Sequence, residues 1–135
     1  MALQLSAAVR NAMLDAIETT IGTSAVLKIR TGAAPASVAT ADSGTVLATL
    51  TLPSDWMAGA SSGSKAKSGT WEDASADAAG TAAHYRIYAS DGTTAHLQGT
   101  VTATGGGGDL TVDNTSFAAG QSFTVTSYSW TAANS

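Results

Sequence analysis

The segment 95–114 constrains the fold more than any other part of the chain. Apolar and polar residues alternate on both sides of four consecutive glycines at 105–108. A period of two is typical of β-strands, and glycine tolerates the positive φ angles of a tight connection. The segment therefore predicts a β-hairpin with a four-residue loop, in which Val101 lies opposite Val112.

Further alternating runs, separated by breaker residues, predict an all-β domain. The expected strands are 26–30, 45–52, 70–72, 84–89, 95–104, the strand after the glycines, and 121–131. Small and polar residues predict loops at 33–44, 58–69 and 74–81. Short strands with glycine-rich turns favour antiparallel sheets in a sandwich, a jelly roll or a small barrel. We assign residues 23–135 to this β-sandwich domain.

The register between strands 84–89 and 95–104 follows from placing their apolar residues on one face. A connection of three or five residues pairs Ile87 with Leu97, whereas a two-residue turn would put them on opposite faces. We therefore predict an odd-numbered loop between these strands.

The last predicted strand carries two apolar phases. Phe123 and Val125 share one phase, whereas Tyr128 and Trp130 share the other. A β-bulge between the two halves would bring all four side chains to one face. Alternatively, Tyr128 and Trp130 leave the fold and face a partner.

Residues 3–21 predict an amphipathic helix within the N-terminal segment 1–22. Ser6 suits the N-cap, and Gly22 follows the last apolar residue as a helix-ending glycine does. Apolar side chains recur three or four residues apart and form one stripe: Val9, Ala12, Met13, Ala16, Ile17 and Ile21. This stripe packs on the sheet of its own domain, or it docks on a neighbouring subunit.

Composition excludes several classes of protein. The chain has 135 residues, a net charge of −4 and no cysteine, which rules out disulfides and thiolate chemistry. We expect no nucleic-acid partner, because phosphate contacts need clustered Lys and Arg. We expect no membrane association, since no apolar run is long enough to span a bilayer. We expect no secretion signal, since the N-terminus lacks a charged segment followed by an apolar one.

No group of reactive residues predicts catalysis. His84 and His96 are the only neutral-pH bases, and the predicted register places both on the polar face of the sheet. The glycine run lacks the Lys-Ser/Thr that completes a phosphate-binding loop. We therefore expect no enzyme activity, no cofactor and no metal.

Several aromatic and basic residues are candidates for partner contacts. Trp56, Tyr128 and Trp130 belong to residue types that anchor interfaces, although each would also suit a core. Lys65 and Lys67 form the only close basic pair, and we interpret them as residues of a solvated loop rather than phosphate ligands. Together with one helix face, the candidate contact residues are Val9, Met13, Ile17, Trp56, Lys65, Lys67, Tyr128 and Trp130.

Several segments of the chain together resemble small structural proteins of tailed bacteriophages. These are the N-terminal helix, LKIRTG (27–32), TLTLPSDW (49–56), GTWED (69–73), HYRIY (84–88) and the glycine hairpin. A small all-β chain within that class is most similar to a head cement or decoration protein. The resemblance implies a homo-oligomeric virion component, made in the host cytoplasm, that binds the major capsid protein on the outer capsid surface. It carries no defined contact residues over to this chain.

Two other functions remain open from the sequence. The first is a tail, neck or fibre-associated component of the same kind of virion. The second is a carbohydrate-binding β-sandwich that stacks exposed Trp and Tyr side chains on sugars.

Overall fold

The computed structural model describes residues 3–132, and the fold there is all-β with one N-terminal helix. Helix α1 spans Ala7–Ile21. The strands are β1 (Val26–Arg30), β2 (Val46–Thr51), β3 (Ser64–Ala66), β4 (Trp71–Asp73), β5 (Gly80–Thr81), β6 (His84–Tyr88), β7 (Ala95–Ala103), β8 (Leu110–Val112), β9 (Ser116–Phe117), β10 (Phe123–Val125) and β11 (Ser129–Thr131). The predicted fold class is confirmed.

The largest sheet has five strands in the order β2-β1-β6-β7-β8. Its first four strands are antiparallel, and the predicted pairing of Ile87 with Leu97 is confirmed. The register shifts after Ile29, so that Arg30 pairs with Val46 and Leu47 falls in a β-bulge. Both Leu47 and the next residue, Ala48, are fully buried as a result, which simple alternation does not predict.

The prediction of an antiparallel hairpin around the four glycines is wrong, because β8 runs parallel to β7. Val101 pairs with Leu110 and Ala103 with Val112. Alternation fixes which side chains face the core, and Leu110 and Val112 are buried as predicted. It does not fix the direction of the strand, because side chains two residues apart share a face in either direction.

Glycine allows this short connection between parallel strands, which ordinarily takes a dozen residues or more. The chain turns back alongside β7, where the Gly108 amide donates to Thr102 Oγ1 and the Asp109 amide to Thr100 Oγ1. A Cβ atom at Gly106 or Gly108 would lie 2.8 Å from Thr102 side-chain atoms. The run therefore serves close backbone approach as well as turning.

The prediction of a loop with an odd number of residues between β6 and β7 is also wrong. Tyr88 pairs with Ala95 after a register shift, and residues 89–94 connect the strands. The carboxylate of Asp91 accepts from the amides of Thr93 and Thr94 and shapes the turn. The shift in register absorbs the phase difference that the prediction had assigned to loop length.

Three two-stranded ladders take the place of a continuous second sheet. They pair β4 with β10, β3 with β11, and β5 with β9, all antiparallel. The predicted strand 121–131 is thus two strands in different ladders, and neither the single bulged strand nor an outward-facing Tyr128 is found. The predicted loops 58–69 and 74–81 contain β3 and β5.

The core lies between the five-stranded sheet and these ladders. Its aromatic part joins both layers, since the ring centroids of Trp71 and Tyr128 lie 5.4 Å apart and those of Tyr85 and Tyr128 lie 5.7 Å apart. Tilted and edge-on ring pairs at these distances add to the stabilisation that burial provides. The ladders are too short to be stable alone, so their packing on the sheet determines their position.

Candidate interaction surface

Helix α1 ends at Ile21 as the sequence predicts, but it begins at Ala7, after the predicted N-cap Ser6, rather than at residue 3. The Ser6 side chain accepts from the Val9 amide at 3.2 Å, and the Gly22 amide, at a φ of 96°, donates to the Glu18 carbonyl. Leu14 and Ile21 are the buried residues of the helix, and Ile17 is partly buried against the core. The rotation of the helix about its axis, however, differs from the one expected.

A polar seam attaches α1 to the segment 57–65. The side chains of Glu18, Asp15 and Asn11 accept hydrogen bonds from the backbone amides of residues 57, 60 and 63, at 3.1, 3.2 and 2.9 Å. The three acceptors lie at helical spacing, so they share one side of α1. The helix therefore presents its polar side to its own domain.

Lys65 completes the polar seam. Its side chain is only 2% exposed, and its Nζ donates to Asp15 Oδ1 at 2.6 Å and to Glu18 Oε1 at 2.9 Å. Burial lowers the pKa of Lys65, but the hydrogen bonds to the two carboxylates outweigh burial and hold it above its ordinary value. The hydrogen bond from Lys65, followed by the one from the Ala60 amide, lowers the pKa of Asp15. The predicted placement of Lys65 in a solvated loop is wrong.

The opposite side of α1 forms a charge-free surface, which we call the helix face. Its members are all exposed: Ala8, Val9, Ala12, Met13, Ala16, Thr19 and Thr20. Val9 is 46% and Met13 50% exposed, so the predicted packing of these residues on their own sheet is wrong. A shallow groove of about 300 Å³ continues from the helix face past Ile17 to His96.

Apolar exposure is concentrated at this end of the molecule. Leu3, Val9 and Met13 are the exposed large hydrophobic residues of the chain between residues 3 and 132. Contiguous apolar surface on a folded protein marks interaction sites more often than scattered apolar residues do. The helix face is therefore the surface with the clearest capacity to bind another molecule.

The other candidate contact residues lie mostly inside the fold. Trp56 is fully buried and donates from Nε1 to the Gly22 carbonyl at 2.9 Å. Tyr128 is 6% exposed, with its hydroxyl 2.7 Å from that of Tyr85, and it accepts from Nε1 of the half-buried Trp130. Burial raises the pKa of Tyr128. Lys67 is half-buried and donates to the Gly69 carbonyl.

The aromatic residues offer no exposed platform in the described part of the chain. Every Trp, Tyr and Phe side chain there is buried apart from Trp130, which packs against the core. Stacking on sugar rings needs an accessible aromatic face. The stacking surface that the carbohydrate-binding alternative assumes is therefore not found among residues 3–132.

The two histidines lie in different environments. His84 is fully buried, with Nδ1 2.7 Å from the Gly32 carbonyl, because the connection between β1 and β2 covers this face of the sheet. Its predicted position on the surface is wrong, whereas His96 is exposed. Among residues 3–132, no three His, Cys, Asp or Glu side chains group as metal ligands.

No helix between residues 3 and 132 has the length and apolar character needed to cross a lipid bilayer.

The sequence contains a signal for the polar seam that periodicity alone does not interpret. Asn11, Asp15 and Glu18 recur at helical spacing beside the apolar stripe. Ordinarily the polar side of a surface helix faces water, so the pattern favours the opposite orientation. Only the position of Lys65 and the amides of 57–63 shows which side is covered.

Comparison with known proteins gives no relative: no family model matches the chain, and no curated protein or solved structure is significantly similar to it.

Proposed function

We propose that this chain is a non-enzymatic structural protein of a bacteriophage virion, a capsid cement protein that binds the major capsid protein on the outside of the shell. The observation that carries the proposal is the helix face. A helix that bonds its charged side chains to its own domain and leaves an uncharged side exposed is suited to hold a second protein surface. The resemblance of the sequence to small phage structural proteins supplies the kind of assembly.

The energetics suit a contact that is weak alone and strong in a lattice. Val9 and Met13 are about half exposed, so covering each contributes about 1 kcal/mol. One 15-residue helix is about 22 Å long, which is short for a standard stable interface. Many copies attached to one shell gain through effective concentration what a single copy lacks.

Absence of charge on the helix face also favours docking on another protein. The chain has a net charge of −4, so an acidic contact surface would repel its own copies on neighbouring sites. Arg10, Asp15 and Glu18 carry the charges of α1, and all three bond to the body of the domain. The partner surface that fits this face is apolar.

Localisation in virions tests the assembly. Antibody-gold labelling of particles of the phage or induced prophage that encodes the chain should place the label over the head. Label confined to the tail or neck would replace the capsid assignment by the tail-associated alternative. Absence of the chain from purified particles by mass spectrometry would refute a virion role.

Charge on the helix face tests the contact. Met13→Glu keeps a good helix former at an exposed position, so the fold should be unchanged while incorporation into particles falls at least tenfold. Ala119→Glu adds the same charge to an exposed turn away from α1 and should be incorporated normally. Equal incorporation of both variants, each folded by circular dichroism, would exclude the helix face as the contact.

A further inference from the structure

The connection between β1 and β2 is longer than the fold requires. These strands are antiparallel neighbours, which two to five residues can join, yet residues 31–45 separate them. The Thr31 amide donates to the Thr45 carbonyl at 3.1 Å, and the Thr45 amide donates to Thr31 Oγ1 at 2.9 Å. We call the closed loop 32–44 the strap. Loops of this length and compactness are commonly functional.

Polar donors from the sheet hold the strap in place. The guanidinium of Arg86 donates to the carbonyls of Ser37 and Thr40, at 3.0 and 2.8 Å. Nε2 of Gln98 donates to the Pro35 carbonyl at 2.8 Å. No residue of the strap belongs to the hydrophobic core cluster of residues 3–132. The strap is therefore held by hydrogen bonds and ion pairs rather than by packing into that core cluster.

One carboxylate occupies the centre of this contact. Asp42 Oδ1 accepts from Arg86 Nη1 and from the Tyr88 hydroxyl, both at 2.8 Å, and its Oδ2 accepts from Arg30 Nη2 at 2.9 Å. The side chains of Arg30 and Arg86 are 8% and 2% exposed, whereas that of Asp42 is 38% exposed. Two guanidiniums and a phenol form a site for a carboxylate, which is reachable from solvent on the side of Asp42.

Two buried nitrogens beside the strap lack a hydrogen-bond partner. Arg30 and His84 pair across β1 and β6. Within the described residues, Nε of Arg30 and Nε2 of His84 are buried without a hydrogen-bond partner. Buried polar atoms of this kind are costly, and the guanidiniums of Arg30 and Arg86 share one carboxylate. The closed strap thus leaves one guanidinium N–H, that of Arg30, unsatisfied.

We propose that the strap is a displaceable cover and that Asp42 stands in for a carboxylate of a partner protein. When the strap opens at Thr31 and Thr45, an Asp, Glu or carboxyl terminus of the partner takes its place between Arg30, Arg86 and Tyr88. This site lies on the sheet and does not depend on the helix face or on a virion role.

Hydrogen exchange of the strap amides in the wild-type protein tests this. The probe is a synthetic peptide that repeats residues 33–44, and its control is the same peptide with Asn in place of the aspartate. A peptide that binds only the form with the strap open raises the population of that open form in proportion to the peptide concentration. Exchange of the strap amides should therefore accelerate about tenfold when the peptide is at ten times its dissociation constant from the open form. Amides of β1 and β6 serve as the internal reference.

The controls separate site binding from general salt effects. The Asn peptide, and sodium chloride at matched ionic strength, should leave the exchange rates unchanged. Asp42→Asn removes the internal competitor, so this variant should bind the acidic peptide more tightly than the wild type. Strap exchange that is insensitive to millimolar acidic peptide, or equally sensitive to the Asn peptide, would overturn the proposal.

Discussion

Replacing Lys65 by Met tests whether the polar seam holds helix α1 to the body of the domain. Met preserves the length and the apolar stem of the side chain and removes its charge. The ammonium group of Lys65 is buried between Asp15 and Glu18, and removing it leaves the Glu18 carboxylate, which is 18% exposed, with the Met57 amide as its remaining donor. We expect the variant to be destabilised.

The magnitude follows from the Glu18 contact. A hydrogen bond between charged groups contributes about 1.5–3 kcal/mol when one partner would be left buried. Relief of the cost of burying the ammonium group offsets part of this. A net loss of about 2 kcal/mol corresponds to a fall in Tm of about 7 °C for a chain of 135 residues. The Asp15 carboxylate is half-exposed and stays hydrated in the variant, so losing its bond to Lys65 adds little to the expected loss of stability.

Differential scanning calorimetry measures the effect, with Lys67→Met as the matched control. Lys67 is half-buried, donates to a single carbonyl and places its Nζ 5.7 Å from the ring centroid of Trp71, so its loss should cost about 0.5–1 kcal/mol. Exchange of the α1 amides should also accelerate in the Lys65 variant alone. If Lys65→Met were no less stable than Lys67→Met, the polar seam would not be what attaches the helix.

Three further outcomes are expected. Burial raises the pKa of Asp42, but the contacts with Tyr88 and the nearby guanidiniums outweigh burial and lower this pKa from 3.8. The stability that the Asp42 carboxylate contributes is therefore present above about pH 4 and is lost on further acidification. Asp42→Asn should flatten this part of an acid titration followed by Trp fluorescence. Gly106→Ala should lower the free energy of unfolding in urea by about 1–3 kcal/mol, because the added Cβ would meet a threonine side chain at 2.8 Å. Gly59→Ala is the control and should be neutral, because no atom lies within 4 Å of the added Cβ. Equal effects of the two variants would show that the close approach of the glycine backbone to the threonine is unimportant. Tyr128→Phe should cost about 1–3 kcal/mol by the same assay, since it deprives the Trp130 indole N–H and the buried Tyr85 hydroxyl of their hydrogen-bond partner, and an unchanged midpoint would contradict that reading.

Local patterns in the sequence determined the helix and the longer strands of this fold, whereas β3 and β5 lie in segments predicted as loops. Ser6 and Gly22 bound the helix because capping chemistry is local. Strands β1, β2, β6 and β7 follow from alternation, and the pairing of Ile87 with Leu97 follows from keeping apolar residues on one face. Those relations involve neighbouring residues and need no knowledge of distant contacts.

The direction of β8 and the orientation of α1 were decided by tertiary structure. Alternation is the same for parallel and antiparallel strands, so the choice depended on how closely Gly106 and Gly108 approach Thr102. An amphipathic helix has two sides, and periodicity cannot say which one its own domain covers. Lys65, about fifty residues further along the chain, made the polar side the covered one by supplying a buried positive charge to Asp15 and Glu18.

The candidate sites show the same division. The sequence identified the helix stripe as a contact candidate, and Val9 and Met13 are exposed. It did not identify the cluster of Arg30, Arg86 and Asp42, because an alternating strand predicts that its polar side chains face water. The strap covers these side chains instead, because Asp42 contacts Arg30, which lies 12 positions away in the sequence, and Arg86, which lies 44 positions away. Sequence fixes local geometry, whereas burial of a polar group depends on which distant segment folds over it.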